Sequence, residues 1–171
     1  MATQPRAGEM LVGAYLKLVE ECEVVAYGQH SPLEGEQMEI DVIGMRPAGD
    51  QGVITCEVAT HLRGLGYGNA EKNRERVEGK FKNAEVYIDR VFGTSESHQF
   101  QFWSPKVHNA SEKELMKAAR EFEDRTDTEL ELIINSEYTQ RLTELRREAA
   151  STFSQRNELA FRILQILEHL E

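Results

Sequence analysis

The sequence predicts an α/β protein in which a mixed sheet lies between layers of helices. Residues 37–45 (QMEIDVIGM) and 52–61 (GVITCEVATH) alternate between apolar and polar side chains and are rich in β-branched residues, a pattern typical of the two strands of a hairpin. Apolar residues over 70–91 recur every three or four positions, which predicts a long helix. Residues 97–104 and 128–135 predict two further strands, each followed by a helical segment. Strands interleaved with helices favour a mixed sheet.

The first third of the chain predicts a helix and a short strand before the hairpin. Residues 8–21 are apolar nearly all round, so this helix should be covered on more than one side. Gly13 inside it costs about 1 kcal/mol relative to alanine, which indicates close packing against the sheet. A strand at 23–27 and a loop at 28–36 follow, and the turn of the hairpin occupies 46–51.

The rest of the chain predicts helices separated by strands. The pattern Ser111-x-x-Glu114 is a capping box and predicts that a helix opens at Ser111. The chain from 136 to its end is helical, with a break near 151–154, where Ser154 could cap the last helix. The predicted order is α-β-β-β-α-β-α-β-α-α in a single domain. The apolar stripe of the long helix predicted at 70–91 consists of Val77, Phe81, Ala84, Ile88 and Val91.

Composition and charge argue against some classes of protein. A chain of 171 residues, 40% of them hydrophobic, can bury a sizeable core. Its net charge of −10 argues against a protein that simply coats nucleic acid. The charge is uneven, however: residues 1–60 carry −7, residues 111–171 carry −5, and residues 61–90 carry +2. The positive segment directly follows the acidic hairpin.

The cysteines and the lack of long apolar runs indicate an intracellular protein. Cys22 and Cys56 lie in apolar runs and are expected to be buried, reduced thiols. The N-terminus has no apolar signal-peptide core, and no stretch reaches the roughly 18 apolar residues of a membrane-spanning helix. We therefore expect a cytoplasmic protein with no membrane partner.

Two carboxylates on the hairpin are the strongest functional signal in the sequence. Because side chains alternate across a strand, Met38, Ile40 and Val42 are expected on one face and Glu39 and Asp41 on the other. On the partner strand the apolar face should carry Ile54, Cys56 and Val58, and the opposite face should carry Thr55, Glu57, Ala59 and His61.

The spacing of neighbouring strands brings two of these acids within reach of each other. Strands lie roughly 5 Å apart, so Asp41 and Glu57 could converge on one cation. Carboxylates on largely apolar strands are costly unless they are paired or bind metal. The alternative is a solvated acidic edge. Glu39 shares the predicted face of Asp41 and is a weaker candidate for a ligand.

This order of elements, with these acids in these places, resembles the PD-(D/E)xK nuclease superfamily. The resemblance covers about residues 8–105, and the run EIDVIG…CEVATH is close to the ELDVIG…CEVTTH of uncharacterised bacterial members. It implies a restriction endonuclease-like α-β-β-β-α-β core with Mg²⁺ or Mn²⁺ bound by Asp41 and Glu57. Glu9 on the opening helix is similar to the extra acid that many members carry. The chain departs from the motif at Ala59, where the family has a lysine that assists the attacking water.

Two residues could supply the missing positive charge, whose loss would reduce the rate by about 10²- to 10³-fold. Lys80 lies three residues after Val77 and four before Ala84, which places it on the inner flank of the long helix. The alternative for Lys80 is a stem that reaches out to solvent. His61 lies four residues past Glu57 on the predicted strand face, and its alternative is a partly exposed polar residue at a strand end.

A basic segment after the hairpin predicts a surface that holds a phosphate backbone. Glycines surround Tyr67 here, just before the long helix begins. The alternative is a solvated helix face in which glutamates alternate with the basic residues. The residues expected to contact nucleic acid are Arg63, Lys72, Arg74 and Arg76, with Lys80 at the end of the segment.

The sequence therefore predicts a metal-dependent nuclease that acts on DNA and uses Mg²⁺ or Mn²⁺. The alternative is a non-catalytic relative that keeps the fold as a nucleic-acid-binding or protein-assembly module, an option favoured by Ala59 and by the net charge. The last helix has a broad apolar stripe, which either docks on the domain or pairs with a second copy. That stripe comprises Leu159, Ala160, Ile163, Leu164, Ile166, Leu167 and Leu170.

Overall fold

The computed structural model describes residues 4–30, 39–47, 52–93, 97–126 and 128–170. Over these residues the chain forms five helices and five strands, in the order that the sequence predicts. They are α1 (Ala7–Leu18), β1 (Val24–His30), β2 (Glu39–Met45), β3 (Val53–Val58), α2 (Ala70–Val91), β4 (His98–Ser104), α3 (Asn109–Thr126), β5 (Glu129–Ile134), α4 (Ser136–Ser151) and α5 (Leu159–Glu168).

The strands form one mixed sheet in the order β1-β2-β3-β4-β5. β2 pairs antiparallel with both β1 and β3, whereas β4 pairs parallel with both β3 and β5. The parallel pairs are possible because α2 and α3 carry the chain back along the sheet between successive strands. The predicted α/β class and the mixed sheet are confirmed.

Helices cover both faces of the sheet. On one face, α2 and α3 pack over a cluster that includes Phe81, Phe100 and Phe122. On the other face, α1, α4 and α5 enclose a second cluster around Trp103. Trp103 is fully buried, and its ring and the Tyr15 ring are in edge-to-face contact. No helix in the described ranges has the length and apolar character needed to cross a membrane.

Two expectations for the first helix and the cysteines are also confirmed. A Cβ added at Gly13 would lie 2.0 Å from the Tyr27 hydroxyl oxygen, so α1 packs closely on β1. Cys22 and Cys56 are both buried free thiols. Burial raises the pKa of both thiols, which keeps them protonated at neutral pH.

The strands differ from the prediction in two places. β1 continues through His30, because Gln29 pairs with Ile40, whereas the sequence places a loop from residue 28. Ile40 and Val42 do not share a face: Ile40 joins the cluster under α2, and Val42 joins the opposite cluster. The change coincides with Gly28, whose φ of 59° interrupts the pairing of β1 with β2. Residues 31–38, which include Met38, and the turn residues 48–51 lie outside the described ranges.

Two predicted helix caps are wrong, and the last residue of the predicted apolar stripe of α2 is not buried. α3 begins before Ser111, which is buried inside the helix and accepts a hydrogen bond from Asn73 Nδ2 at 2.8 Å. α5 begins after Glu158, so Ser154 does not cap it. Val91 is 51% exposed because α2 extends past the edge of the core at its last turn.

The last helix docks with one side and leaves the other side exposed. Ala160 and Phe161 are buried against α1 and α4, and Leu164 packs against the same cluster. The exposed side carries Leu159, Ile163, Ile166 and Leu167, and Leu170 is exposed just after the helix ends.

Candidate active site

Asp41 and Glu57 lie next to each other on adjacent strands. In the register of β2 with β3, Val42 pairs with Cys56, and Asp41 and Glu57 are the residues directly beyond this last pair. Both residues are buried, and each carboxyl group affects the pKa of the other. The Oδ2 of Asp41 also accepts a hydrogen bond from the Val58 backbone N–H at 2.7 Å. The structure therefore brings together the two acids that the strand pattern selects.

Lys80 approaches this pair from the helix above the sheet. Its ammonium group forms an ion pair with Oε1 of Glu57. Val77 and Ala84, one turn before and one turn after, are buried against the sheet, so Lys80 lies on the inner flank of α2. Its side chain is only 16% exposed, and that of Glu57 is 10% exposed. The stem of Lys80 thus reaches inward, as the helical spacing predicts.

The packing around residue 59 explains why the positive charge comes from α2. Ala59 is 2% exposed within the cluster under α2 and α3, and its backbone N–H donates to the Trp103 carbonyl at 2.9 Å. A lysine there would have to place its stem in the core. Lys80 instead reaches Glu57 from the facing helix.

Burial and mutual repulsion change the proton affinities of the three groups. Burial raises the pKa of Glu57 to about 8, and the charge of Asp41 raises it as well, against the opposing effect of Lys80. Burial also raises the pKa of Asp41, although the Val58 N–H opposes this. For Lys80, burial alone lowers the pKa, but Glu57 and Asp41 together raise it above its ordinary value. These shifts favour retention of a proton by the carboxyl pair, beside the positively charged Lys80.

A small cleft extends from Glu57 into the core. Its free volume of about 10 Å³ is enough for roughly one water molecule. Thr55 lies two residues before Glu57 on the same face of β3, and its hydroxyl has no hydrogen-bond partner in the described part of the chain. Thr55 is not among the site residues that the sequence predicts, although it alternates with apolar neighbours on β3. Glu39, Thr55, Glu57, Lys80 and Gln101 supply the polar side chains of the lining.

Glu9 lies in the first turn of α1 and is buried. Its Oε2 accepts a hydrogen bond from the Arg6 backbone N–H at 2.9 Å, so the carboxylate stabilises the start of the helix. Burial raises the pKa of Glu9 despite this bond, and the charges of Asp41 and Glu39 raise it further. Glu9 therefore lies within electrostatic range of Asp41.

The residues present suit a cation with few protein ligands. Among the described residues, no group of three His, Cys, Asp or Glu side chains is close enough to hold a metal ion. The predicted trio with Glu9 is thus not assembled as a ligand set. Mg²⁺, however, is commonly bound by one or two carboxylates and completed by waters and substrate phosphates. Asp41 and Glu57, two buried carboxylates on adjacent strands, fit that requirement.

His61 does not lie on the strand face where the sequence places it. β3 ends at Val58, and His61 is an exposed residue of the following loop. Its ring contacts Tyr67 edge to face, with the ring centroids 6.1 Å apart. Tyr67 is half-buried, and its pKa is raised by burial and then by the charge of Glu57. His61 therefore contacts the residue next to the site rather than the carboxyl pair.

The basic residues fall into two groups. Arg74 forms ion pairs with Glu78, Glu114 and Glu121, at 2.8, 3.3 and 2.6 Å, and so ties α2 to α3. The other predicted contacts for nucleic acid, namely Arg63, Lys72 and Arg76, are exposed.

Comparisons of the chain with protein-family models, with curated proteins and with solved structures gave no match. The residues of the site are therefore the basis for a function of this protein.

Proposed function

We propose that this protein hydrolyses phosphodiester bonds in DNA with the help of Mg²⁺ or Mn²⁺, as a nuclease of the PD-(D/E)xK type. The observation that carries the proposal is a pair of buried carboxyls on adjacent strands, Asp41 and Glu57, beside a largely buried lysine that is ion-paired with Glu57. Groups with strongly shifted proton affinity cluster at catalytic sites. The antiparallel β1-β2-β3 meander, followed by α2 and a parallel β4, supports a restriction endonuclease-like core.

The proposed roles follow from the geometry of the three groups. Asp41 and Glu57 would hold the cation, which when bound activates water and neutralises charge on the phosphate. Lys80 would stabilise the negative charge that develops on the phosphate, in place of the lysine absent at residue 59. The Val58 N–H holds Asp41 in position through its Oδ2.

Cleavage of plasmid and linear DNA with Mg²⁺, Mn²⁺ or EDTA tests the proposal. We expect cleavage with either metal and none with EDTA, and a loss of at least about 10²-fold in Asp41→Asn and Glu57→Gln. Mg²⁺ should also raise the melting temperature of the wild type but not of Asp41→Asn. Glu75→Gln, on the exposed side of α2, is the matched control and should behave as the wild type.

The proton at the site adds a second readout. Because Glu57 must lose its proton to bind a cation, the affinity for Mg²⁺ should rise about tenfold per pH unit up to about pH 8. A protein that neither cleaves DNA nor responds to metal would overturn the proposal.

The second candidate is a non-catalytic module with the same fold. It is favoured by the absence of a three-ligand metal group among the described residues and by the ion pair that already neutralises Glu57. Nucleic-acid binding that is unchanged by EDTA and by Asp41→Asn, without cleavage, would support this candidate.

A further inference from the structure

A row of basic side chains on α2 leads to the carboxyl pair. Lys72, Arg76 and Lys80 are four residues apart, so they lie on successive turns about 6 Å from each other along the helix axis. Lys72 and Arg76 are exposed, whereas Lys80 is largely buried at Glu57. The row therefore runs from the surface to the proposed site.

An aromatic pair lies beside this row. Tyr67 is on the loop between β3 and α2, and the exposed ring of His61 contacts it edge to face. Charges in both the row and the carboxyl pair affect the pKa of Tyr67. Among these charges Glu57 has the largest effect, followed by Lys80 and Arg76. Tyr67 therefore lies within electrostatic range of both the row and the carboxyl pair.

The loop that carries Tyr67 is held in place. The backbone N–H of Tyr67 donates to Asn73 Oδ1 at 3.2 Å, and Asn73 in turn donates to Ser111 on α3. Gly68 has a φ of 125°, and a Cβ there would lie 3.0 Å from Cδ of Lys72. The backbone that carries Tyr67 therefore has a fixed position relative to the row, which reduces the entropy lost when the loop binds a ligand.

Charge complementarity selects an anionic partner for this face. Residues 61–82 carry 6 basic and 3 acidic side chains, a net charge of +3, in a chain whose total is −10. A partner with repeated negative charges would be attracted here and repelled by the rest of the chain.

We propose that the aromatic–basic surface, formed by His61, Tyr67, Lys72 and Arg76, binds a single-stranded stretch of DNA and guides it to Glu57. Its phosphates would follow the row, and one base would stack on the aromatic pair. Aromatic rings combined with a basic track are the means by which proteins bind single strands, whose base faces are accessible, whereas those of a duplex are stacked. That the surface guides the single strand to Glu57 rests on the proposed function, whereas binding of the strand to the surface requires no metal.

Fluorescence anisotropy with a labelled short oligo-dT, and with a duplex of equal length, tests this in EDTA. We expect the single strand to bind at least about tenfold more tightly than the duplex. Tyr67→Leu should weaken binding by about tenfold, because it removes the stacking ring, whereas Tyr67→Phe should retain it. The double variant Lys72→Gln/Arg76→Gln should make the slope of log affinity against log salt shallower by about 1.4.

Lys82→Gln is the control, because Lys82 is exposed on α2 but outside the row. It should leave the preference for the single strand unchanged and reduce the salt dependence less than the double variant does. Equal or tighter binding of the duplex, no binding of oligo-dT, or unchanged binding in Tyr67→Leu with a wild-type melting temperature would each overturn the proposal. Because EDTA excludes catalysis, a failure of binding is distinguishable from a failure of cleavage.

Discussion

Lys80 on α2 and Glu57 on β3 form an ion pair across the interface between the helix and the sheet. The pair connects a cation and an acid from two elements that are separated by a glycine-rich loop. Because both side chains are largely removed from solvent, their interaction depends little on salt and strongly on protonation.

Replacing Lys80 by methionine should separate catalysis from metal binding. We expect DNA cleavage to fall by about 10²- to 10³-fold, since a positioned positive charge is lost. The rise in melting temperature with Mg²⁺ should persist, because Asp41 and Glu57 remain. The variant should fold near about pH 6, where Glu57 can stay protonated and neutral. Lys82→Met is the control, and full activity in Lys80→Met would show that another cation acts.

The stability of the protein should depend on pH through Glu57. Burial raises the pKa of this carboxyl from 4.5 to about 8, so in that range the folded protein keeps a proton that the unfolded chain has lost. Its favourable contribution is complete below about pH 4.5 and is lost as the pH rises to about 8. We expect the free energy of unfolding to fall by up to about 1.4 kcal/mol per pH unit within this window.

Urea unfolding of the wild type and of Glu57→Gln over this pH range measures the effect. The difference between the two proteins isolates Glu57 from Asp41 and Glu9, whose pKa values are also raised. Parallel curves for the two proteins would show that Glu57 does not hold the proton.

The hydroxyl of Thr55 should reduce stability. It is buried with no hydrogen-bond partner among the residues that the structure describes, and such a group costs about 1–3 kcal/mol. Thr55→Val, which keeps the shape, should raise the free energy of unfolding by about 1 kcal/mol in urea denaturation. Thr60→Val, at an exposed position, should change it by less than about 0.5 kcal/mol. A loss of stability in Thr55→Val would show that the hydroxyl holds a partner in the cleft.

Two helical glycines should respond to alanine in opposite directions. A Cβ at Gly13 would lie 2.0 Å from the Tyr27 hydroxyl, so Gly13→Ala should destabilise the protein by about 1–3 kcal/mol. A Cβ at Gly79 in α2 would meet nothing within 4 Å, so Gly79→Ala should stabilise it by about 0.5–1 kcal/mol. Thermal unfolding of the two variants provides the comparison, and stabilisation by Gly13→Ala would contradict the packing of α1 on β1.

The sequence predicts some elements well because their signals are local. Both ends of α2 agree with the prediction, since Asn69 caps its first turn by accepting the Lys72 N–H at 2.9 Å. Alternation along β3 correctly places Glu57 on the face that α2 covers. The start of α3 was missed, because Ser111 forms its hydrogen bond with Asn73 of another helix rather than within a cap.

The position of His61 shows why the rest of the site was less predictable. Its alternation with Glu57 continues in the sequence, but the pairing of β3 with β2 ends where Asp41 Oδ2 takes the Val58 N–H. The Asp41 side chain thus takes the place of a backbone partner for the Val58 N–H, and β3 ends before residue 61.

The sequence by itself determined that Thr55 and Glu57 share one face of β3 and that Lys80 shares the inner flank of α2 with Val77 and Ala84, because periods of two and of three to four residues are properties of the local backbone. Only the tertiary structure decided that Lys80, and not His61, meets Glu57, and that burial raises the pKa of Glu57. Distance, burial and proton affinity arise from groups that are far apart along the chain, and these quantities exist only once the sheet and its helices have packed together.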